Sequence, residues 1–239
     1  MFAKSARFYD ALYAHSGKDY AAEADRLRRL MRRYRQSGGR AWLDVACGTG
    51  LHIAYLMDDF DATGVDVDEG MLGVARERCP DVAFYEADMV DFALDRRFDV
   101  VTCLFSSIGY ARTLDRLHAA VANMARHLAP GGLLIVEPWI LPEDWQDRHV
   151  GALFVDEPDL KVARVNHSRR EGTVSILDFQ YLVGTPEGVE HFAERHELGL
   201  FAHEDYRAAF ERAELHVEHD PEGLMGRGLY MGIAPLAGG

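Results

Sequence analysis

At 239 residues, 48% of them hydrophobic and 27% charged, the chain has room for one large α/β unit with an appendage and a core of its own. A formal net charge of −13 argues against a nucleic-acid partner, which draws affinity from basic surfaces. No stretch approaches a membrane span and no basic, apolar leader is recognisable, so a cytoplasmic chain with no membrane partner is expected. Cys47, Cys79 and Cys103 lack metal-ligand spacing, and buried thiols with no metal are the expectation.

Residues 1–39 read as a helical cap. Aromatics at Phe2, Phe8, Tyr9, Tyr13 and Tyr20 surround the turn-prone Ser16-Gly17-Lys18-Asp19, as in a segment laid over something else. Over 19–35, Tyr20, Ala24, Leu27, Leu30, Met31 and Tyr34 recur at helical spacing until Ser37-Gly38-Gly39 ends the pattern.

Residues 40–143 carry the βα alternation of a doubly wound parallel sheet. Trp42 to Ala46 suits a central strand, and Cys47-Gly48-Thr49-Gly50 a tight turn that lets a ligand lie against bare backbone at the start of the helix opening at Leu51. The third small residue of a dinucleotide-binding fingerprint is replaced by Ile53, and Asp44 would repel a pyrophosphate but accept a cationic amine. The turn therefore favours a nucleoside carrying an amino acid. Asp66 closes the second strand sixteen residues past Gly50, where a carboxylate can take ribose hydroxyls, and Asp68 is placed to cap the next helix.

Val82–Glu86 forms a third strand, after which Asp88 can accept from an exocyclic amine while Met89 faces an adenine ring. Phe98–Leu104 forms a fourth strand. The hexapeptide Phe105-Ser106-Ser107-Ile108-Gly109-Tyr110 follows at its carboxyl end, where open parallel sheets bind ligands. A helix over 114–128, closed by Ala129-Pro130-Gly131-Gly132, leads to a fifth strand, Leu133–Glu137, and then Pro138-Trp139.

Residues 144–201 read as a small inserted antiparallel β layer, a lid for the acceptor. Lys161–Ser168 pairs with Thr173–Val183 across Arg169-Arg170-Glu171-Gly172, and Glu190–Leu200 adds another strand. Residues 202–239 supply a helix over 202–213 and a strand pair, Leu215–Glu218 and Gly228–Ile233, that complete the main sheet.

In order and spacing, Asp44-Val45-Ala46-Cys47-Gly48-Thr49-Gly50, Asp66, Asp88-Met89 and Pro130-Gly131-Gly132-Leu133-Leu134 resemble the class I S-adenosylmethionine (SAM) methyltransferases. The resemblance implies a seven-stranded sheet with its last strand antiparallel, SAM as cofactor, Asp44 near the methionyl amine, Asp66 on ribose and Asp88-Met89 at adenine. Outside that core, Gly17-Lys18-Asp19-Tyr20, Phe105–Tyr110, Val136-Glu137-Pro138-Trp139, His167-Ser168, Arg170-Glu171-Gly172 and Gly226-Arg227-Gly228-Leu229-Tyr230 resemble the N,N-dimethyltransferases of TDP-linked 3-amino deoxysugar biosynthesis, which complete desosamine and mycaminose for macrolide antibiotics. The chain departs from that pattern at Ile140 and Asn166.

The narrower resemblance implies two successive methyl transfers to the amine of a TDP-linked sugar, with S-adenosyl-L-homocysteine as product. Tyr110 is the candidate for orienting the amine or passing on its proton, with Glu137 and Ser107 beside it. The cofactor candidates are Tyr9, Tyr20, Asp44, Ala46, Gly48, Gly50, Asp66, Val67, Met71, Asp88, Met89, Leu104 and Phe105. For the acceptor, Arg227 between two glycines can fork onto a diphosphate, Trp139 can stack on a base, Ser106 is a further contact, and His167 either touches the sugar or fills the lid. Arg164, Arg169 and Arg170 are weaker candidates for the diphosphate, because hairpin arginines usually face solvent. A SAM-dependent methyltransferase of another small molecule, through oxygen or a carboxyl, and a SAM-binding protein without turnover are the competing readings. A monomer or a homodimer fits the chain equally.

Overall fold

Helix starts follow the local chemistry of the sequence. The structure, a computed structural model, describes residues 4–237, so Phe2 lies outside the described residues. A 3-10 turn, Ala6–Phe8, leads into α1 (Tyr9–His15), and α2 (Tyr20–Tyr34) begins where Asp19 accepts a 2.9 Å bond from the Ala22 amide. Alternation follows through β1 (Ala41–Val45), α3 (Leu51–Leu56), β2 (Asp61–Asp66), α4 (Glu69–Arg78), β3 (Ala83–Glu86) and β4 (Phe98–Cys103). Asp68 caps α4 by accepting from the Met71 amide at 3.2 Å. A 3-10 turn over Ser107–Ala111 precedes α5 (Leu114–Arg126), which Thr113 caps, and β5 (Leu128–Val136).

The main sheet runs β3-β2-β1-β4-β5 in parallel and ends with α6 (His203–Arg212), β10 (His216–Asp220) and β11 (Leu229–Ile233) folded onto its far edge. β11 lies between β5 and β10 and is antiparallel to both, so the last strand runs against the rest as the resemblance implied. Helices cover both faces. Leu43, Val45 and Val101 pack with Leu117, Val121 and Phe210 on one side, while Trp42 and Val100 pack with Leu27, Met31 and Ile53 on the other. Burying each such side chain contributes about 1.5–3 kcal/mol. The strand order reverses between β1 and β4, which opens a crevice at their carboxyl ends.

A second sheet of four antiparallel strands comprises β6 (Val150–Glu157), β7 (Leu160–Glu171), β8 (Val174–Thr185) and β9 (Gly188–Gly199). Its inner face packs Val155, Val162, Tyr181 and Phe192 against Phe8 and Leu12, so α1 is bound to this sheet. Three features differ from expectation. β6 is an additional edge strand; its exposure alternates, but Val150 and Phe154 stand on the exposed side, so its sequence carries no polar–apolar alternation to read. The β7–β8 turn is tighter, with Glu171 already paired to Val174 around Gly172 at φ +60°. Ala129-Pro130-Gly131-Gly132 is a bulge within β5, across which the pairing with β4 jumps from Phe98–Leu128 to Val100–Leu133. No described helix is long and apolar enough to cross a membrane.

Candidate active site

The turn after β1 is held in a backbone form that few residues adopt. Ala46, Gly48 and Gly50 have φ of +58°, +55° and +70°. A Cβ on Gly48 would meet nothing, so its requirement is conformational, whereas one on Gly50 would also stand 3.1 Å from the Ala75 Cβ. Asp66 ties the turn to β2: one carboxylate oxygen accepts from the Gly48 amide at 2.8 Å and the other from the Asp68 amide at 2.9 Å. Burial raises the Asp66 pKa against those two bonds.

Asp44 lies deeper, 2% exposed, and accepts from the Thr102 hydroxyl at 2.6 Å. Burial pushes its pKa up to about 6, with His52 and the Thr102 bond pulling the other way. Among the described residues no cation forms an ion pair with it, so the site fits a ligand that brings one.

Three cavities meet at this turn, and Ala46 lines all of them. The smallest, about 40 Å³, lies between Tyr9, Tyr20, Asp44, Leu104 and Phe105. A second, about 300 Å³, is walled by Asp66, Val67, Asp88, Met89 and Tyr110. The third, about 220 Å³, runs from Gly48, Asp66, Met71 and Ser107 up to the second sheet, and Tyr9, Phe105, Tyr110, Trp139 and Arg227 also face it. Most of the candidate residues are thus brought to one place. Gly50 turns the chain behind it.

Four expectations need correction. Glu137 is fully buried beneath the wall and accepts from the Phe105 amide at 2.7 Å, holding the loop and facing none of the three cavities. Ser106 is 1% exposed, donates to the Pro138 carbonyl at 2.6 Å and accepts from the Arg227 guanidinium at 2.8 Å, so it orients Arg227. His167 is exposed on the outer face of β7, because strand alternation turns Asn166 and Ser168 inward and His167 away. Arg164 shares that inner face and is buried in the third cavity, with its guanidinium 4.5 Å from the Phe179 ring centre and donating to Tyr13 at 3.3 Å. Asp88 lines the second cavity but is paired with Arg116 at 2.6 Å.

Tyr13, Asn166, Phe179, Tyr181 and His196 also line the third cavity, and none of them is among the site residues expected from the sequence. The available signal was the period of two in β7, which sets Val162, Arg164, Asn166 and Ser168 on one face. Neither Arg164 nor Arg227 forms an ion pair with a carboxylate among the described residues. Arg227 lies 5.1 Å from the Trp139 ring centre between Gly226 and Gly228 at φ +82° and +83°, and Trp139 is fixed by donating from Nε1 to Ser175 at 2.9 Å. The cavity therefore offers two cations, flat aromatic walls and the Tyr110 hydroxyl, 2.7 Å from His196 Nδ1.

The helix α1 closes the remaining side. Asp10 accepts from the Thr49 hydroxyl at 2.8 Å and from Arg78 at 2.6 Å, while Arg78 also donates to the Thr49 carbonyl. Behind the turn, Lys18 reaches Glu23 at 2.6 Å, and Glu23 reaches His52 at 2.8 Å. Burial lowers the Lys18 pKa, opposed by Glu23.

A family described as a methyltransferase domain matches residues 43–132, the segment from β1 through the β5 bulge. Over 94% of this chain and 95% of its own length, a dTDP-3-amino-3,4,6-trideoxy-alpha-D-glucopyranose N,N-dimethyltransferase from Streptomyces venezuelae is 44% identical. The chain belongs to the family of dTDP-amino-sugar N,N-dimethyltransferases. The family uses SAM as methyl donor. Among solved structures, Streptomyces venezuelae DesVI superposes with a TM-score of 0.91 at 43% identity, covering 97% of this chain and 98% of that one. SAM-bound CalS10, an amino pentose methyltransferase from Micromonospora echinaspora involved in calicheamicin biosynthesis, does so at 0.84 and 38%, covering 94% and 95%.

Proposed function

We propose that this protein methylates the amine of a dTDP-linked amino deoxysugar twice, using SAM, in the making of an antibiotic sugar. The observation that carries the reading is that Ala46, Asp66 and Tyr110 wall both the crevice cavity and the cavity beneath the second sheet, so cofactor and acceptor meet at their junction. Residues 40–143 hold the cofactor, 1–39 cap it, 144–201 cover the acceptor and 202–239 complete the main sheet.

In this assignment Asp44 receives the ammonium of SAM, Asp66 its ribose, and Val67, Asp88 and Met89 its adenine. Tyr9, Tyr20, Leu104 and Phe105 enclose the methionyl end and Met71 packs nearby. Bound there, SAM supplies an electrophilic methyl that needs no further activation. The protein's own contribution is alignment, exclusion of water and a route for the proton. Arg227, with Arg164 opposite, holds the diphosphate; Trp139 offers a stacking face to the base; Tyr110 and Ser107 orient the amine. Tyr110 is kept protonated by burial, so it serves as a neutral hydroxyl.

Support for a homodimer over a monomer comes from the outer face of the second sheet, where Phe154, Val165 and Leu182 are exposed on neighbouring strands. A cytoplasmic location is supported by three free, buried cysteines. Incubating the protein with SAM and a panel of dTDP-amino sugars and weighing the products tests the reading. A gain of two methyls on an amino sugar is expected, and no gain on any member of the panel would refute it.

A further inference from the structure

Two polar side chains interrupt the apolar inner face of β9. Alternation along this strand sends Phe192, Glu194, His196 and Leu198 inward. His196 is 2% exposed, packed edge-on against Phe179 with ring centres 5.1 Å apart, and its Nδ1 stands 2.7 Å from the Tyr110 hydroxyl. On its other side Nε2 lies 3.6 Å from Glu194. Glu194 is itself held from the N-terminal segment, accepting from the Ser5 hydroxyl at 2.8 Å and the Ser5 amide at 3.3 Å. Nothing in the assignments above uses Glu194 or His196.

We propose that His196 and Glu194 are positioning residues that, acting through Tyr110, draw the proton off the acceptor nitrogen between the two methyl transfers. This rests on the dimethylation reading given above. Each transfer forms a nitrogen–carbon bond from the nitrogen lone pair as the methyl leaves sulfur with its bonding electrons left behind. The product of the first transfer is therefore a secondary ammonium with no lone pair, and the second cannot begin until one proton has gone.

The Glu194 carboxylate, 3.6 Å from Nε2, favours the tautomer that carries its proton there. With Nε2–H directed at Glu194, Nδ1 is the acceptor and Tyr110 must donate to it. That leaves the phenolic oxygen lone pairs turned to the junction of the cavities, where an ammonium N–H can donate to them. As that proton moves to the Tyr110 oxygen, the phenolic proton moves to Nδ1. Tyrosine ends as it began, and the charge rests on an imidazolium beside Glu194. From there the Nε2 proton passes to Glu194, at the edge of the second sheet, and His196 is left neutral with its proton on Nδ1, so one proton is carried per turnover and a ring flip returns the starting tautomer.

The electrostatics agree with this division of labour. Burial would raise the Glu194 carboxyl, but nearby His196 and the Ser5 hydrogen bonds outweigh it and hold the group below its ordinary value, so it is ionised opposite the imidazolium. Tyr110 and His196 share their cavity with Tyr13 from α1, Tyr181 from β8, Arg164 from β7 and Asp66 from β2. Asp178, Arg169 and Arg195 are paired with one another.

The test is a time course of mono- and dimethylated sugar, resolved by mass, for the wild type, His196→Asn, the near-isosteric Glu194→Gln and Tyr110→Phe, at about pH 7 and about pH 9, the latter above the ordinary range of an α-amino group. At the lower pH the second transfer is expected to slow by about 10²-fold in His196→Asn and Tyr110→Phe, the lower end of general acid–base contributions. The first, which can draw neutral amine from solution, slows less, so monomethyl product accumulates. Glu194→Gln shifts the ratio in the same direction by a smaller factor, and at about pH 9 all three ratios return toward the wild type. A ratio unchanged from the wild type, or equal loss of both transfers at both pH values, would overturn the proposal. A wild type that methylates no amino sugar would overturn the functional reading itself and the proposal with it.

Discussion

Glu137 accepts a 2.7 Å hydrogen bond from the backbone amide of Phe105, and that bond fastens a loop in which Phe105 and Ser106 both adopt positive φ, +50° and +61°. Non-glycine residues held there cost on the order of 1–3 kcal/mol each unless the surroundings impose the conformation. The loop carries Ser107 and Tyr110 into the site. Replacing Glu137 by alanine leaves a buried donor unpaired and is expected to destabilise the fold by about 2 kcal/mol, lowering Tm by about 4–8 °C in a calorimetric scan. Glu137→Gln keeps an acceptor and should retain most of the activity. Loss of turnover by more than about 10²-fold in the glutamine variant would instead mark the carboxylate as a base.

Asp44 predicts a pH dependence of cofactor binding. Its folded pKa of about 6 exceeds the ordinary carboxylate value of 3.8. The sign is that of a raised acid: its favourable contribution to stability is full below about pH 4 and is lost as pH rises through about 6. A SAM ammonium favours the ionised form, so calorimetric affinity for SAM should tighten by about tenfold between pH 5 and pH 7. In Asp44→Asn that slope should vanish and affinity should fall at the upper pH.

Arg227→Ala should raise KM for the nucleotide sugar by about 10- to 100-fold, the worth of a charge-assisted hydrogen bond, with kcat changed much less. Ser106→Ala should move KM in the same direction by a smaller factor, because the Ser106 hydroxyl only steers the guanidinium. Steady-state kinetics at saturating SAM separate the two. An unchanged KM in Arg227→Ala would remove the phosphate assignment.

Adjacent residues on β7 should behave oppositely. Asn166 lines the acceptor cavity and donates to Ser168 at 3.0 Å, whereas His167 faces out. Asn166→Ala should lower kcat/KM for the sugar by about tenfold, on the scale of one lost hydrogen bond, and His167→Ala should leave it within about twofold. Similar losses in the two variants would contradict the strand orientation.

The cofactor half of the site was legible because its signals are local. Gly48 and Gly50 mark the turn by their backbone freedom, Asp68 marks a helix start by its reach to the Met71 amide, and Asp66 stands at a spacing set by one βα unit. The acceptor half was legible only in outline. Arg227 stands out between two glycines, but on β7 the sequence does not separate His167 from Asn166 and Arg164, since nothing in a single strand says which of its faces will be covered.

What the sequence determined by itself was the order of the elements, the doubly wound core and the turn that cradles a charged nucleoside, because periodicity and turn chemistry act within a few residues. Tertiary structure alone decided which side chains share the chemistry. Packing α1 onto the second sheet made one face of β7 and β9 the inner one, which buried Arg164 and turned His167 out. The same packing brought His196 to Tyr110 across 86 residues of chain. Contacts of that separation depend on strand register and sheet placement, which the energy of the whole fold selects and no local pattern encodes.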